Sequence, residues 1–96
     1  MPIYALIADD RPGLERRKRT RPAHLNHLSK LHADGRIRFA GPFLNPDGDM
    51  VGSLIILEAD SIEEAKATYA TDPYVVQEVF AHYEVRETKQ VFPPES

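Results

Sequence analysis

The sequence predicts a single α+β domain with a four-stranded antiparallel sheet, and three observations carry that prediction. Short β-branched and aromatic runs alternate with longer helix-forming runs in the order strand, helix, strand, strand, helix, strand. The breaks between runs have turn or cap chemistry: Gly13, Gly35, Asn45-Pro46-Asp47-Gly48, and Ser61 followed by Glu64. Ninety-six residues without an internal repeat or low-complexity segment make one domain, residues 1–96. Two strand–helix–strand units with right-handed crossovers give a ferredoxin-like βαββαβ sheet with both helices on one face.

Residues 3–8 (Ile3-Tyr4-Ala5-Leu6-Ile7-Ala8) read as the first strand, ended by the turn-forming Asp9-Asp10-Arg11-Pro12-Gly13. From Leu14 to about Asp34 no glycine occurs, and Gly35 is a helix stop. Pro22 suits the first turn of a helix, so a regular helix is expected to begin near it with Thr20 as cap, residues 14–20 forming a separate turn or a loop. Residues 36–40 alternate polar and apolar and read as a half-buried strand. Gly41-Pro42 and 45–49 read as a turn-rich connection to a strong strand, Val51 to Leu57. Ser61 and Glu64 form a capping box that opens a helix to about Ala70. Asp72-Pro73 starts a short helical turn, and Val79 to Val85 is the last strand. The tail, about 87–96, carries Val91 and Phe92, two apolar side chains in want of a surface.

The two central strands are apolar on both faces. Val51, Ile55 and Leu57 oppose Leu54 and Ile56, and Ile3 and Ile7 oppose Tyr4 and Leu6. Helices cover one face only, so the other needs a cover. A second copy packed about a two-fold axis supplies it; the alternative is the chain's own last ten residues.

Composition excludes several function classes. The absence of cysteine removes disulfides, thiolate metal sites and thiol nucleophiles. No apolar run approaches the ~20 residues of a membrane span, and a cytoplasmic location is the expectation. A net charge of −3 gives no general attraction to nucleic acid, and the basic cluster Arg16–Arg21 lacks interleaved aromatics, so it reads as a solvated face with one or two inward arginines. No cofactor motif and no G-x-S-x-G elbow is present. His24 with His27 or His32 has helix spacing, but no third ligand accompanies them, so no metal is expected.

On a helical wheel Leu25, Leu28 and Leu31 define an inward arc of about 120° that also contains His24 and His32, with Arg21 and Arg17 one and two turns earlier and His27 on the flank. An inward histidine is commonly a satisfied core residue, but a guanidinium beside it needs a carboxylate, an anionic ligand or solvent. His24 also moves protons near neutral pH. Asp72 before Pro73 is a good N-cap, and it is equally a candidate acidic partner for His24. Ser53, a hydroxyl on a central apolar strand, either donates to a ligand or bonds a neighbouring backbone group.

Taken together, Arg21-Pro22-Ala23-His24-Leu25, Gly35-Arg36-Ile37, Ala40-Gly41-Pro42, Gly52-Ser53, Asp72-Pro73-Tyr74 and Lys89-Gln90-Val91-Phe92 resemble the YciI-like (YCII-related) family over nearly the whole chain. The resemblance implies a dimeric α/β barrel of two ferredoxin-like domains. It implies His24 and Asp72 as an active-site pair; Arg21, Ser53, Tyr74, Gly41 and Pro42 are the expected substrate contacts. It also implies kinship with muconolactone isomerase and chloromuconolactone dehalogenase, which act on small lactone acids by proton transfer or loss of HCl. The connection Phe43 to Met50 is shorter than in several family members, and it borders the expected pocket.

Two readings follow. One is a cofactor-free lyase or isomerase in which His24 moves a proton, Asp72 orients it, and Arg21 and Ser53 hold a small anionic molecule. The other is a non-catalytic small-ligand-binding or structural dimer module in which the same cluster is an ion network.

Overall fold

The computed structural model describes residues 1–94. Its elements are β1 (Ile3–Asp10), α1 (Glu15–Ala33), β2 (Ile37–Leu44), β3 (Met50–Glu58), α2 (Ile62–Ala70), α3 (Pro73–Val76) and β4 (Phe80–Thr88). The four strands form one antiparallel sheet in the order β2-β3-β1-β4. This is the expected α+β, ferredoxin-like arrangement, in which the first strand of each half lies centrally. No helix among the described residues is long and apolar enough to cross a membrane.

Alternation along β1 and β3 sends Tyr4, Leu6, Ala8, Ile55 and Leu57 to the helix side. There they pack with Ala65 and Tyr69 of α2, Tyr74 of α3 and Leu28 of α1. The Tyr69 hydroxyl lies 2.8 Å and 2.9 Å from the carbonyls of Tyr4 and Ile55, which share its proton and pin α2 over the β1–β3 seam. On the far face Ile7 and Phe39 are 37% and 50% exposed. The tail carries Phe92, 82% exposed; of the expected tail, 95–96 lie outside the described residues.

Three expectations are corrected. The first helix does not begin at Pro22: α1 starts at Glu15 and Pro22 sits inside it, with no side-chain cap at Leu14 and with Thr20 buried rather than capping. An internal proline costs a backbone hydrogen bond and a steric clash. Arg17, tied to β1 and β3 by four hydrogen bonds, holds the first turn in helical register in spite of it. Gly41-Pro42 is not a turn but lies inside β2, paired with Leu54 and Ser53. β2 is an edge strand, where a missing N–H need not break the sheet, and register shifts at both ends accommodate it. The reversal is confined to residues 45–49, where Asn45 Oδ1 accepts from the N–H groups of Asp47 and Asp49, both at 3.0 Å.

The third correction concerns the face of α1. Its buried stripe is Arg17, Thr20, His24 and Leu31. His32 is exposed, Leu25 is 42% exposed, and His27 turns partly inward. Starting the helix at Glu15 lets these polar anchors, rather than the leucines alone, decide which face meets the sheet.

The helix starts downstream agree with expectation. Ser61 Oγ accepts from Glu64 N–H at 3.1 Å, and Glu64 reaches back to Asp60 N–H at 3.3 Å. Asp72 caps α3 by accepting from Tyr74 N–H at 2.8 Å, with Pro73 in the first turn.

Candidate active site

The site lies where the N-terminal half of α1 crosses the ends of β1 and β3. Arg17 is its anchor. Its Nε and Nη2 donate to Asp10 Oδ2 and Oδ1 at 2.6 and 2.9 Å, and Nη2 also reaches Gly52 O and Ser53 Oγ, each at 2.8 Å. The forked pairing neutralises a guanidinium that burial would otherwise penalise heavily. Ser53 is thus an acceptor from Arg17, and its own hydroxyl proton remains free to donate toward the cavity that it borders.

One turn beyond Thr20, His24 is buried, and its Nδ1 stands 2.8 Å from Asp72 Oδ1. With the carboxylate as acceptor, Nδ1 carries a proton and Nε2 is the free ring nitrogen. Tyr74 holds the ring from the side, its centroid 3.7 Å from that of His24 and the planes 10° apart. The Arg17 guanidinium carbon is 4.6 Å from the centroid of Tyr74. Because Arg17 and His24 are two turns apart on α1, the tyrosine ring is wedged between them. Burial, opposed by Arg17 and Arg21, raises the Tyr74 phenol above its ordinary value, so it is a neutral wedge at neutral pH.

A cavity of about 130 Å³ opens against this assembly. That is close to the ~150 Å³ engineered cavity that takes a benzene ring, so the space suits a single small ring. Every residue expected to contact a substrate borders it: Arg21, Ser53, Tyr74, Gly41 and Pro42, together with His24. Asp72 stands behind His24, away from the cavity lining. Leu25, Leu28, Ile55 and Met50 supply its apolar wall. Arg21 is exposed and has no ion-pair partner among the described residues, so it is the cavity's uncompensated positive charge. Among the described residues no three His, Cys, Asp or Glu side chains gather as metal ligands would.

Asp72 is at once cap and partner. Its Oδ1 accepts from both Tyr74 N–H and His24 Nδ1–H. The two readings of that residue were never exclusive, because one oxygen has lone pairs for two donors.

Sequence reasoning had Arg17 pointing inward but did not place it in the site, and it missed Asp10 altogether. The signal for Asp10 was present: Leu6, Ala8 and Asp10 share one face of a strand by period two, which sets a carboxylate on the inner side at the strand's end. His27 was also passed over. Its Nε2 is the one buried side-chain nitrogen or oxygen without a hydrogen-bond partner among the described residues. Burial lowers its pKa below the usual imidazole value, partly offset by Asp72.

The model of the YCII-related domain family matches residues 2–89. Protein YciI of Escherichia coli O6:H1 is 39% identical over 97 residues, covering 94% of this chain and 99% of that protein. Among solved structures, the 5-chloro-2-hydroxyhydroquinone dehydrochlorinase (TftG) of Burkholderia phenoliruptrix, in complex with 2,5-dihydroxybenzoquinone, is similar at a TM-score of 0.83. It is 32% identical, over 97% of this chain and 99% of that one. A NIPSNAP family protein of Agrobacterium tumefaciens, 15% identical with a TM-score of 0.58 over 97% of this chain and 95% of its own, shares the fold alone.

Proposed function

The chain belongs to the YCII-related domain family, and on that premise we propose that it is an enzyme of lyase or isomerase type. In this reading the His24/Asp72 pair performs acid–base chemistry on a small anionic organic molecule. The observation that carries the reading is the 2.8 Å His24 Nδ1–Asp72 Oδ1 bond behind a ring that borders a one-ring cavity. Asp72 selects the tautomer whose Nε2 lone pair takes a proton, and it stabilises the imidazolium formed. Tyr74 keeps the ring from rotating. Ser53, its oxygen already accepting from Arg17, donates to a substrate oxygen, and Arg21 attracts the anion. The dehydrochlorinase relative suggests the reaction: Nε2 takes a proton from the substrate, the electron pair left behind expels chloride, and HCl is the net loss.

Chloride release from 5-chloro-2-hydroxyhydroquinone and binding of 2,5-dihydroxybenzoquinone are the tests. The expected outcome is quinone binding that shifts the ¹⁵N resonance of His24 Nε2, and a rate loss of about 10²-fold or more in His24→Gln. Quinone binding that leaves the His24 resonance unmoved, with equal rates in the two proteins, would overturn the reading.

A second reading, a non-catalytic small-ligand-binding or structural dimer module, draws on the α3 cap that Asp72 also makes. In either reading the open sheet face pairs with a second copy as a dimeric α/β barrel, which the exposure of Ile7 and Phe39 there supports. Light scattering tests this, with twice the 10.9 kDa chain mass expected and a monomer at micromolar concentration refuting it.

A further inference from the structure

A second hollow, of about 310 Å³, lies just outside the His24 cavity, between the start of α1 and the β2–β3 turn. Arg17, Arg21 and Met50 border both spaces, so the two are chambers of one site. The outer chamber has an apolar strip, Leu14 and Met50, and two cations one turn apart on α1, Lys18 and Arg21.

Of the three cations that border this chamber, Arg17 alone is committed to a carboxylate, Asp10. Lys18 and Arg21 have no such partner among the described residues. The one carboxylate across from them, Asp49, is turned to Asn45, with Oδ2 3.4 Å from the amide nitrogen. Two positive charges against one negative leave a surplus of a single charge. A monoanionic carboxylate matches that surplus, whereas a dianionic phosphate would meet repulsion from Asp49.

We propose that the substrate is a ring small enough for the inner chamber bearing a side arm that ends in a carboxylate, and that the arm lies along Leu14 and Met50 with its carboxylate between Lys18 and Arg21. This rests on the His24 cavity being the reaction site and adds the substrate's class and its second anchor. Lys18 thereby becomes a specificity residue outside the acid–base machinery.

Calorimetry with two probes tests it: methylhydroquinone, an uncharged ring for the inner chamber alone, and 3-(2,5-dihydroxyphenyl)propanoate, which adds the carboxylate arm to the same ring. The expected result is that Lys18→Glu lowers the affinity of the armed probe relative to the armless one by about tenfold, through loss of one attraction and gain of one repulsion. Raising the salt from 50 to 200 mM should shrink the wild-type preference. An affinity ratio unmoved by Lys18→Glu overturns the outer chamber while leaving the inner one intact. Tighter binding of the corresponding phosphate-ended arm overturns the charge match. Failure of both probes to bind the wild-type protein brings down the inner-cavity reading and this one with it.

Discussion

Asp72→Ala and Asp72→Asn should separate sharply, because one oxygen of Asp72 serves two buried donors. Alanine removes the α3 cap, worth about 1 kcal/mol. It also leaves His24 Nδ1–H without an acceptor at a buried position, a penalty of about 1–3 kcal/mol. The sum is about 3 kcal/mol, and at roughly 4–8 °C per kcal/mol for a chain this size the midpoint should fall by about 12–24 °C. Asparagine keeps a carbonyl oxygen where Oδ1 stands, so cap and partner survive. The loss of charge assistance costs about 1 kcal/mol, or about 4–8 °C. The folded Asn variant should nevertheless lose about 10²-fold or more in chloride release, since nothing then compensates an imidazolium. Thermal melts followed by circular dichroism, beside chloride assays on the same samples, read both quantities. Equal melting points for the two variants would refute the double-acceptor geometry, and an active Asn variant would refute the pair as chemistry.

Gly52→Ala should destabilise by about 1–3 kcal/mol, measured by urea unfolding, because its Cβ would stand 2.4 Å from the backbone oxygen of Ala8 in the neighbouring central strand. An unchanged midpoint would contradict the close β1–β3 approach there. Pro22→Ala should stabilise, by about 1–3 kcal/mol in the same assay, since it restores an N–H to the interior of α1. A loss of stability would place Pro22 in a first turn after all. His27, held below the ordinary imidazole value by burial, binds fewer protons folded than unfolded. Its contribution is therefore present above the unfolded value of about 6.5 and is lost as pH falls through the lower folded value. His27→Leu should flatten that acid-side decline in unfolding midpoints, and it should raise stability near pH 7 by removing an unpaired buried nitrogen.

Several parts of the fold and site were legible because their signals are local. Ser61/Glu64 and Asp72-Pro73 named two helix starts, since a cap is satisfied by donors within three residues of it. The doubly apolar β1 and β3 named the central strands. His24 followed from helical phase and Ser53 from its place on an apolar strand; with Gly41, Pro42 and Tyr74, also expected as substrate contacts, they border one cavity.

The failures share a different cause. Pro22 reads as a helix start by propensity, yet α1 runs through it because Arg17 is fastened to Asp10, Gly52 and Ser53, residues 7 to 36 positions away in the chain. Gly41-Pro42 reads as a turn by composition, yet it lies in a strand because β2 is at the sheet edge, a fact of sheet order rather than of sequence. The sequence by itself determined the βαββαβ order and which side chains had the chemistry for a site, since periodicity and caps act over a few residues. Only the tertiary structure decided that Asp72, 48 residues from His24, would meet it through the same oxygen that caps α3. That convergence depends on how α1 and α3 pack over one sheet face, and contacts between distant segments leave no periodic trace in the chain.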